Sequence, residues 1–192
     1  MFNKYTEVHP WKIIEKGWNA SNHPKSESLF SIGNGRMGQR ANFEETYTGK
    51  SLQGSYIAGV YYPDKTRVGW WKNGYPEYFA KVLNSCNWIG LKITVDGETL
   101  DLNTATAVND FYRELDMQSG LLKRSFQATL PSGKIVAVPY ACAKPGGQSA
   151  CSTTLYLCCS SALFQRDLSG HAPCGQNTHM MNHLYHDVHV TV

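Results

Sequence analysis

The chain has 192 residues, a formal net charge of +3 and a pI near 8.5, so it is long enough for one sizeable domain or for two small ones. A positive charge this mild and evenly spread does not predict nucleic acid or an anionic membrane as a partner. The N-terminus lacks the apolar stretch of a signal peptide and no segment approaches the ~20 apolar residues of a membrane span, so we expect a cytoplasmic protein with no membrane partner.

The first elements lie on either side of a turn-rich stretch at residues 19–26. Before it, the apolar residues between Trp11 and Trp18 fit a short helix or an edge strand, and both interpretations stay open. After it, Leu29, Phe30 and Ile32 predict a short strand. Asn34-Gly35 then predicts a hairpin turn, because this dipeptide tolerates positive φ at both central positions.

Gly33, Gly35 and Gly38 spell GxGxxG, the spacing of a dinucleotide-binding loop. That function also requires a buried strand before the glycines, a helix after them and an acid about 20 residues further on. Residues 39–42 are a poor helix start, and no acid lies near Ser55 and Tyr56. The sequence therefore disfavours a nucleotide site.

The next segments are rich in aromatic residues. Residues 55–62 predict a strand that ends at Pro63. Residues 67–79 are broken by glycine and proline and predict a long loop, which either covers a small satellite core or presents a surface that stacks sugars or faces a partner. The candidate stacking residues are Trp70, Trp71 and Tyr75.

Three hairpins follow in succession. Apolar residues alternate with polar ones at 91–102 around a turn at Asp96-Gly97, and again at 111–130 around Ser119-Gly120. A turn at residues 131–134 then leads into an apolar strand at 135–138. Consecutive hairpins with little helix predict a mainly β protein, an antiparallel β-sandwich, in which Arg113 and Arg124 are expected to be solvated or paired strand charges.

The composition changes after Tyr140, where five of the six cysteines and five of the seven histidines lie. Their spacings match no structural zinc pattern, so we predict no metal site. Without an export signal, a disulfide framework is also disfavoured. We therefore divide the chain into residues 1–138, a β-sandwich, and residues 139–192, a Cys/His-rich tail not evolved to fold.

Residues 11–138 resemble the N-terminal domain of glycoside hydrolase family 65, which comprises maltose, kojibiose and trehalose phosphorylases and related α-glucoside hydrolases. The match covers about two-thirds of the chain, and its motifs occur in the family's order. The matching segments are residues 27–40, 42–45, 54–61, 87–88, 96–98, 112–117 and 120–124.

The resemblance implies a supersandwich-like β-domain that precedes a linker and a catalytic (α/α)6 barrel. We expect the chain to be an incomplete N-terminal fragment that lacks this barrel. In the family, a barrel carboxylic acid protonates the leaving oxygen of an α-glucosidic disaccharide, while phosphate, or water in the hydrolases, attacks the anomeric carbon. No catalytic residue is predicted here, and no cofactor is implied apart from inorganic phosphate as co-substrate of a phosphorylase.

The resemblance has two departures from the family pattern. Cys86 stands where the family usually has proline, which affects only a local turn. Past Val138 the family-like sequence ends where the cysteines begin, so we hypothesise that the tail comes from a shifted reading frame or a damaged gene.

The charged residues of the family motif are candidate site residues. Arg36, Arg40, Glu44 and Glu45 are predicted to form a salt-bridged hairpin that docks onto the missing helical barrel, or else to wall the sugar site. Glu44 and Glu45 are not assigned to catalysis, since adjacent residues on a strand point to opposite faces. Two alternative functions are a stand-alone carbohydrate-binding module and a non-functional truncated product.

Overall fold

The computed structural model describes residues 5–67, 75–145, 151–159, 162–169 and 188–191. These residues form one short helix, α1 (His23–Leu29), and otherwise strands and loops, so the described part of the chain contains no helical barrel. The strands are β1 (Thr6–His9), β2 (Lys12–Lys16), β3 (Ile32–Gly33), β4 (Met37–Gln39), β5 (Ser55–Ile57), β6 (Tyr61–Lys65), β7 (Tyr78–Val82), β8 (Lys92–Val95), β9 (Glu98–Thr99), β10 (Ala107–Asp116), β11 (Leu121–Thr129), β12 (Ile135–Pro145), β13 (Cys151–Cys159), β14 (Ala162–Ser169) and β15 (Val188–Thr191).

A seven-stranded antiparallel sheet forms the larger layer, in the order β1-β2-β10-β11-β12-β13-β14. Its central hairpins are those that the period of two predicts, with β10 and β11 joined at Ser119-Gly120 and β11 and β12 joined at residues 131–134. The prediction of consecutive antiparallel hairpins is therefore confirmed.

A small sheet of β15, β8 and β9 supplies the second layer. The apolar residues of β8 and of the segment after β9 pack against the inward face of β10 to β12, so a two-layer antiparallel core forms as the sandwich prediction requires. The buried members of this main core are Phe43, Leu91, Ile93, Val95, Leu100, Leu102, Phe111, Phe126, Ala128, Leu130, Val136 and Val138.

The segment before the Asn34-Gly35 turn differs from the prediction. Leu29 ends helix α1 instead of lying in a strand, and the Phe30 N–H donates to Ser26 O at 3.0 Å. Pro24 explains the difference, because its fixed φ suits the first turn of a helix. Of the three residues predicted as a strand, only Ile32 lies in one.

The predicted hairpin at Asn34-Gly35 is confirmed. Strands β3 and β4 pair across it, Gly35 has a φ of +84°, and Asn34 Oδ1 accepts the N–H groups of Arg36 (3.1 Å) and Met37 (2.8 Å). Strand β4 next pairs with β5, so the GxGxxG glycines lie in a β-hairpin sheet and not at the start of a helix.

Residues 55–82 depart from prediction at three places. A turn with Gly59 at φ +84° splits the predicted strand 55–62 into β5 and β6. Pro63 lies inside β6 instead of ending it, which is tolerated because β6 pairs on one side only, with β7. Tyr78 and Phe79, predicted as loop, lie in β7.

The first and last segments also extend the large sheet. Residues 12–16 form β2, with β1 at the sheet edge, so the strand interpretation of the N-terminal segment is the right one. The proposed boundary after Val138 falls within β12, and β13 and β14 continue the same sheet. The origin of residues 139–192 stays a prediction. No helix in the described residues is long and apolar enough to cross a membrane.

Candidate functional site

Three charged residues lie side by side across the inward face of the large sheet. The register pairs Glu15 of β2 with Arg113 of β10, and Arg113 with Arg124 of β11. Their exposed fractions are 4%, 1% and 5%. The expectation that the two arginines are solvated strand charges is therefore wrong, although the expectation that they are paired is right.

The row of charges separates two apolar clusters. On one side lies the main core beneath β8. On the other side, residues near helix α1 and β3 pack on the sheet. This second cluster contains Phe30, Ile32, Ala41, Leu115 and Leu122, with Ile13 against it. A charge placed between two dry regions needs a partner within reach, because an unpaired buried charge is strongly destabilising.

Glu44 and Glu45 together provide the partner of Arg124. Arg124 Nη1 donates to Glu45 Oε1 at 2.5 Å, and Nη2 donates to Glu44 Oε2 at 2.6 Å and to Glu45 Oε2 at 2.5 Å. Burial alone would lower the pKa of Arg124, but the carboxylates of Glu45 and Glu44 outweigh it and raise that pKa. The guanidinium therefore keeps its charge inside the core.

The convergence of both carboxylates corrects the sequence argument that adjacent acids must point to opposite faces. That argument assumes a regular strand, whereas this segment makes only a single bridge, between Glu45 and Leu91. The Leu91 N–H donates to Glu44 O at 2.6 Å. The irregular backbone lets both side chains reach one guanidinium.

Glu27, on helix α1, is a second buried carboxylate with several polar contacts. Its Oε1 lies 3.1 Å from His23 Nε2, one helical turn earlier, and accepts Asn42 Nδ2 at 2.8 Å and the Ser51 hydroxyl. Its Oε2 accepts the Leu52 N–H at 2.8 Å. Glu27 therefore ties the helix to two separate loops.

The protonation states of this pair follow from its contacts. Burial alone would raise the pKa of Glu27, but hydrogen bonds from His23, Ser51 and Leu52 outweigh it and lower the pKa to about 2. The pKa of His23 is lowered, chiefly by burial. His23 is therefore neutral at pH 7 and bridges two charges, since its Nδ1 lies 3.5 Å from Arg113 Nη2.

Phe43, directly before the two acids, joins both centres. Its ring stacks on His23 with centroids 4.2 Å apart and lies 4.3 Å from the Arg124 guanidinium carbon. The Arg113 guanidinium carbon lies 5.2 Å from the same ring. Such cation–π contacts stabilise a desolvated guanidinium. We call the group Glu15, His23, Glu27, Glu44, Glu45, Arg113 and Arg124 the ion cluster.

The sequence did not single out Glu15, His23 or Arg113 as parts of a site. The signal for His23 and Glu27 is their i,i+4 spacing, which places them on one face only if residues 23–29 form a helix. Because that segment reads as a turn followed by a strand, the spacing has no meaning until the helix is known.

The predicted docking residues occupy three different surroundings. Glu44 and Glu45 are buried on Arg124. Arg40 holds helix α1 against the loop at 51–54, through Ser28 Oγ (2.7 Å), Leu52 O (2.9 Å) and Pro24 O (3.2 Å). Arg36 is exposed at the hairpin turn, and within the described residues its guanidinium makes no ion pair.

Of the candidate sugar-stacking residues, Trp70 and Trp71 lie outside the described residues. Tyr75 is described and 47% exposed, and its ring meets that of Phe79 edge-on at 6.2 Å. Its proposed role in sugar stacking stays a prediction.

The chemistry of the ion cluster is that of a structural centre. Cleavage of a glycoside requires a protonated acid, whose pKa is raised, and in the hydrolases a second carboxylate facing it. Here one arginine holds both Glu44 and Glu45. Among the described residues, the carboxyls whose pKa is shifted all have it lowered, and they are Glu27, Asp64, Glu114 and Asp116.

A polar cavity of about 400 Å³ adjoins the cluster. Its lining includes Asn42, Glu44, Tyr47, Asn87 and Lys92. Among the described residues, no group of three or more His, Cys, Asp or Glu side chains is placed to hold a metal ion.

Comparison with known proteins identifies relatives for most of the chain. The family model for the N-terminal domain of glycosyl hydrolase family 65 matches residues 13–141. Maltose phosphorylase of Bacillus subtilis is 54% identical over 119 residues, which are 62% of this chain and 16% of that protein. Kojibiose phosphorylase of Halothermothrix orenii is 33% identical over 134 residues, 70% of this chain and 16% of that protein.

Two further relatives agree with these. Alpha,alpha-trehalose phosphorylase of Thermoanaerobacter brockii is 35% identical over 136 residues, 67% of this chain and 17% of that protein. A solved structure of a human-microbiome protein assigned as a kojibiose phosphorylase superposes with a TM-score of 0.68 at 30% identity, covering 81% of this chain and 20% of that one. The chain thus spans about one-sixth of the length of these curated relatives.

Proposed function

Because the chain belongs to glycoside hydrolase family 65 and matches that family's N-terminal domain, we propose that it serves as the non-catalytic N-terminal domain of a phosphorylase that cleaves an α-glucosidic disaccharide. The parent enzyme would use inorganic phosphate as co-substrate and act in the cytoplasm. The catalytic acid and the phosphate site would belong to a helical-barrel domain of that enzyme.

Maltose is the substrate best supported. The observation that carries this choice is the 54% identity to a maltose phosphorylase, against 33% and 35% to the kojibiose and trehalose phosphorylases over similar lengths. The ion cluster supports the non-catalytic role, because Arg124 already holds both acids of the family motif.

A chimera tests this function. Residues 13–141 of this chain replace the matching segment of Bacillus subtilis maltose phosphorylase, and glucose 1-phosphate formation is measured with maltose, kojibiose and trehalose in phosphate buffer. We expect phosphate-dependent turnover that is highest with maltose. The 192-residue chain alone is the control and should release no glucose 1-phosphate. A soluble chimera without activity on any of the three sugars would contradict the proposal.

A second candidate is a carbohydrate-binding module, favoured by the exposed aromatic residues near Tyr75. Titration of the 192-residue chain with maltose, followed by tryptophan fluorescence, tests it. Saturable binding that Trp70→Ala, Trp71→Ala or Tyr75→Ala abolishes would support this function, and a flat titration would remove it.

A further inference from the structure

Exposed apolar side chains are concentrated in one part of the described molecule. Of the fourteen large apolar residues that are exposed there, nine lie between residues 57 and 83. A contiguous apolar surface on a soluble domain marks an interaction site more often than chance exposure. These nine are Ile57, Val60, Tyr61, Tyr62, Tyr75, Tyr78, Phe79, Val82 and Leu83.

The β6–β7 ribbon presents one apolar face. Residues opposite each other in an antiparallel pair share a face, so the register Tyr61↔Val82, Pro63↔Ala80 and Lys65↔Tyr78 puts five apolar residues on one side. The other face is mixed and carries the Asp64–Lys81 ion pair together with Tyr62 and Phe79. A two-stranded ribbon is marginally stable by itself in water, so an apolar face of this kind calls for a covering surface.

A groove of about 340 Å³ lies between this face and the β3–β4 hairpin. Tyr61, Ala80 and Val82 form one wall, and Arg36 to Gly38 form part of the opposite wall. Three of the lining residues, Gly35, Gly38 and Gly59, have no side chain to fill the space. The groove can therefore receive apolar side chains from a partner, with one guanidinium at its rim.

The positive charges near the groove indicate which charge the partner surface should carry. The described residues give neither Arg36 nor Lys65 an ion pair. A second copy of the chain packed here would bring these same positive groups together, and like charges at an interface are unfavourable. A partner surface with apolar side chains and a carboxylate fits better.

We propose that this groove docks the polypeptide that follows the matched segment in the longer family members, and that the docked surface is apolar with a carboxylate opposite Arg36. The relatives supply the length for such a partner, since the 119 matched residues are 16% of the Bacillus subtilis protein. The proposal rests on the function proposed above, because it requires the chain to work as one domain of that enzyme.

The test compares the same substitutions in two contexts. Tyr61→Thr and Val82→Thr remove apolar surface but keep strand-forming residues, and Arg36→Glu reverses the rim charge. In the chimera we expect each to lower the Tm by about 2–4 °C and to reduce maltose phosphorolysis. In the 192-residue chain alone we expect no resolvable change in Tm, because the three side chains are exposed there.

Matched controls lie away from the groove. Ile135→Thr removes an exposed apolar residue from β12, 51% exposed, and Lys50→Glu reverses an exposed charge. Neither should affect the chimera. Circular dichroism of each variant of the 192-residue chain checks that the fold is kept.

Three other outcomes would contradict the proposed function, the docking proposal, or both. If the unsubstituted chimera is inactive, the proposed function fails and the docking proposal fails with it. If the chimera is active but the groove variants behave like the controls, only the docking proposal fails. If the 192-residue chain sediments as a dimer that Tyr61→Thr dissociates, the groove is occupied by a second copy and the proposal is wrong.

Discussion

Two parts of the family motif at residues 27–45 lie in opposite surroundings. Glu44 and Glu45 place charge inside the core, where Arg124 neutralises it, whereas Arg36 stands at the rim of an apolar groove on the surface. Glu44, Glu45 and Arg124 neutralise one another within the domain, whereas the apolar side chains around the groove are exposed. The first region therefore stabilises the domain itself, and the second is the surface at which we propose that it binds a partner.

The strongest way to break this contrast is to remove the cation from the core. Arg124→Met leaves Glu44 and Glu45 buried without a partner, so we expect the free energy of unfolding to fall by about 3–5 kcal/mol in a denaturant titration. Lys123→Met, on the same strand but the other face, is the control and should change little. Adding Glu44→Gln and Glu45→Gln to Arg124→Met should restore part of the loss, and no recovery would contradict the pairing.

Acidification tests the second buried centre. The pKa of Glu27 is about 2 in the fold against 4.5 for the free side chain, so its contribution of about 3 kcal/mol is present above pH 4.5 and is lost as the pH falls towards 2. Glu27→Gln should flatten this part of the stability–pH curve. The control Glu7→Gln, at an exposed position, should keep the acid dependence, and equal slopes for both variants would argue against the assignment.

A packing change tests the link between helix α1 and the loop at 51–54. A Cβ on Gly54 would lie 2.1 Å from Arg40 Cδ, so Gly54→Ala must displace Arg40 from Ser28 and Leu52. We expect a loss of about 1–3 kcal/mol. Gly38→Ala is the control, because its nearest neighbours are 4.0 Å from the added Cβ. In an Arg40→Ala background most of the cost of Gly54→Ala should disappear, leaving only the contact with the Tyr56 hydroxyl, 2.9 Å from the added Cβ.

The smallest effect is expected at the surface. Tyr61→Thr and Val82→Thr in the 192-residue chain should change the free energy of unfolding by no more than about 0.5 kcal/mol, because these side chains are 58% and 64% exposed. A loss above about 2 kcal/mol would mean that the ribbon packs within the domain, and the contrast between the two regions would disappear.

The sequence predicts the central hairpins well because their signals are local. Asp96-Gly97, Ser119-Gly120 and Asn34-Gly35 each join strands as expected. The helix at residues 23–29 is missed, since Leu29 and Phe30 suit a strand by composition and only Pro24 favours a helix start. Short elements such as this one are decided by packing more than by propensity.

The site is less predictable than the fold. The motif 27–45 is recognisable as a family marker, but the partners of its charged residues cannot be read from it, because they are far away in the chain: Arg124 lies 79 positions from Glu45. No local pattern reports a contact of this kind. The premise that adjacent acids diverge also depends on a regular strand, which the backbone at Glu44 and Glu45 does not form.

The sequence alone determined the antiparallel β architecture and the family, because alternation, turn dipeptides and ordered motifs are properties of neighbouring residues. Only the tertiary structure decided that Arg113 and Arg124 are buried, that Glu44 and Glu45 share one guanidinium, and that Arg36 remains at a surface groove. The physical reason is that burial and charge pairing depend on which strands become neighbours. That choice is made when the sheets pack, over separations that no local sequence signal spans.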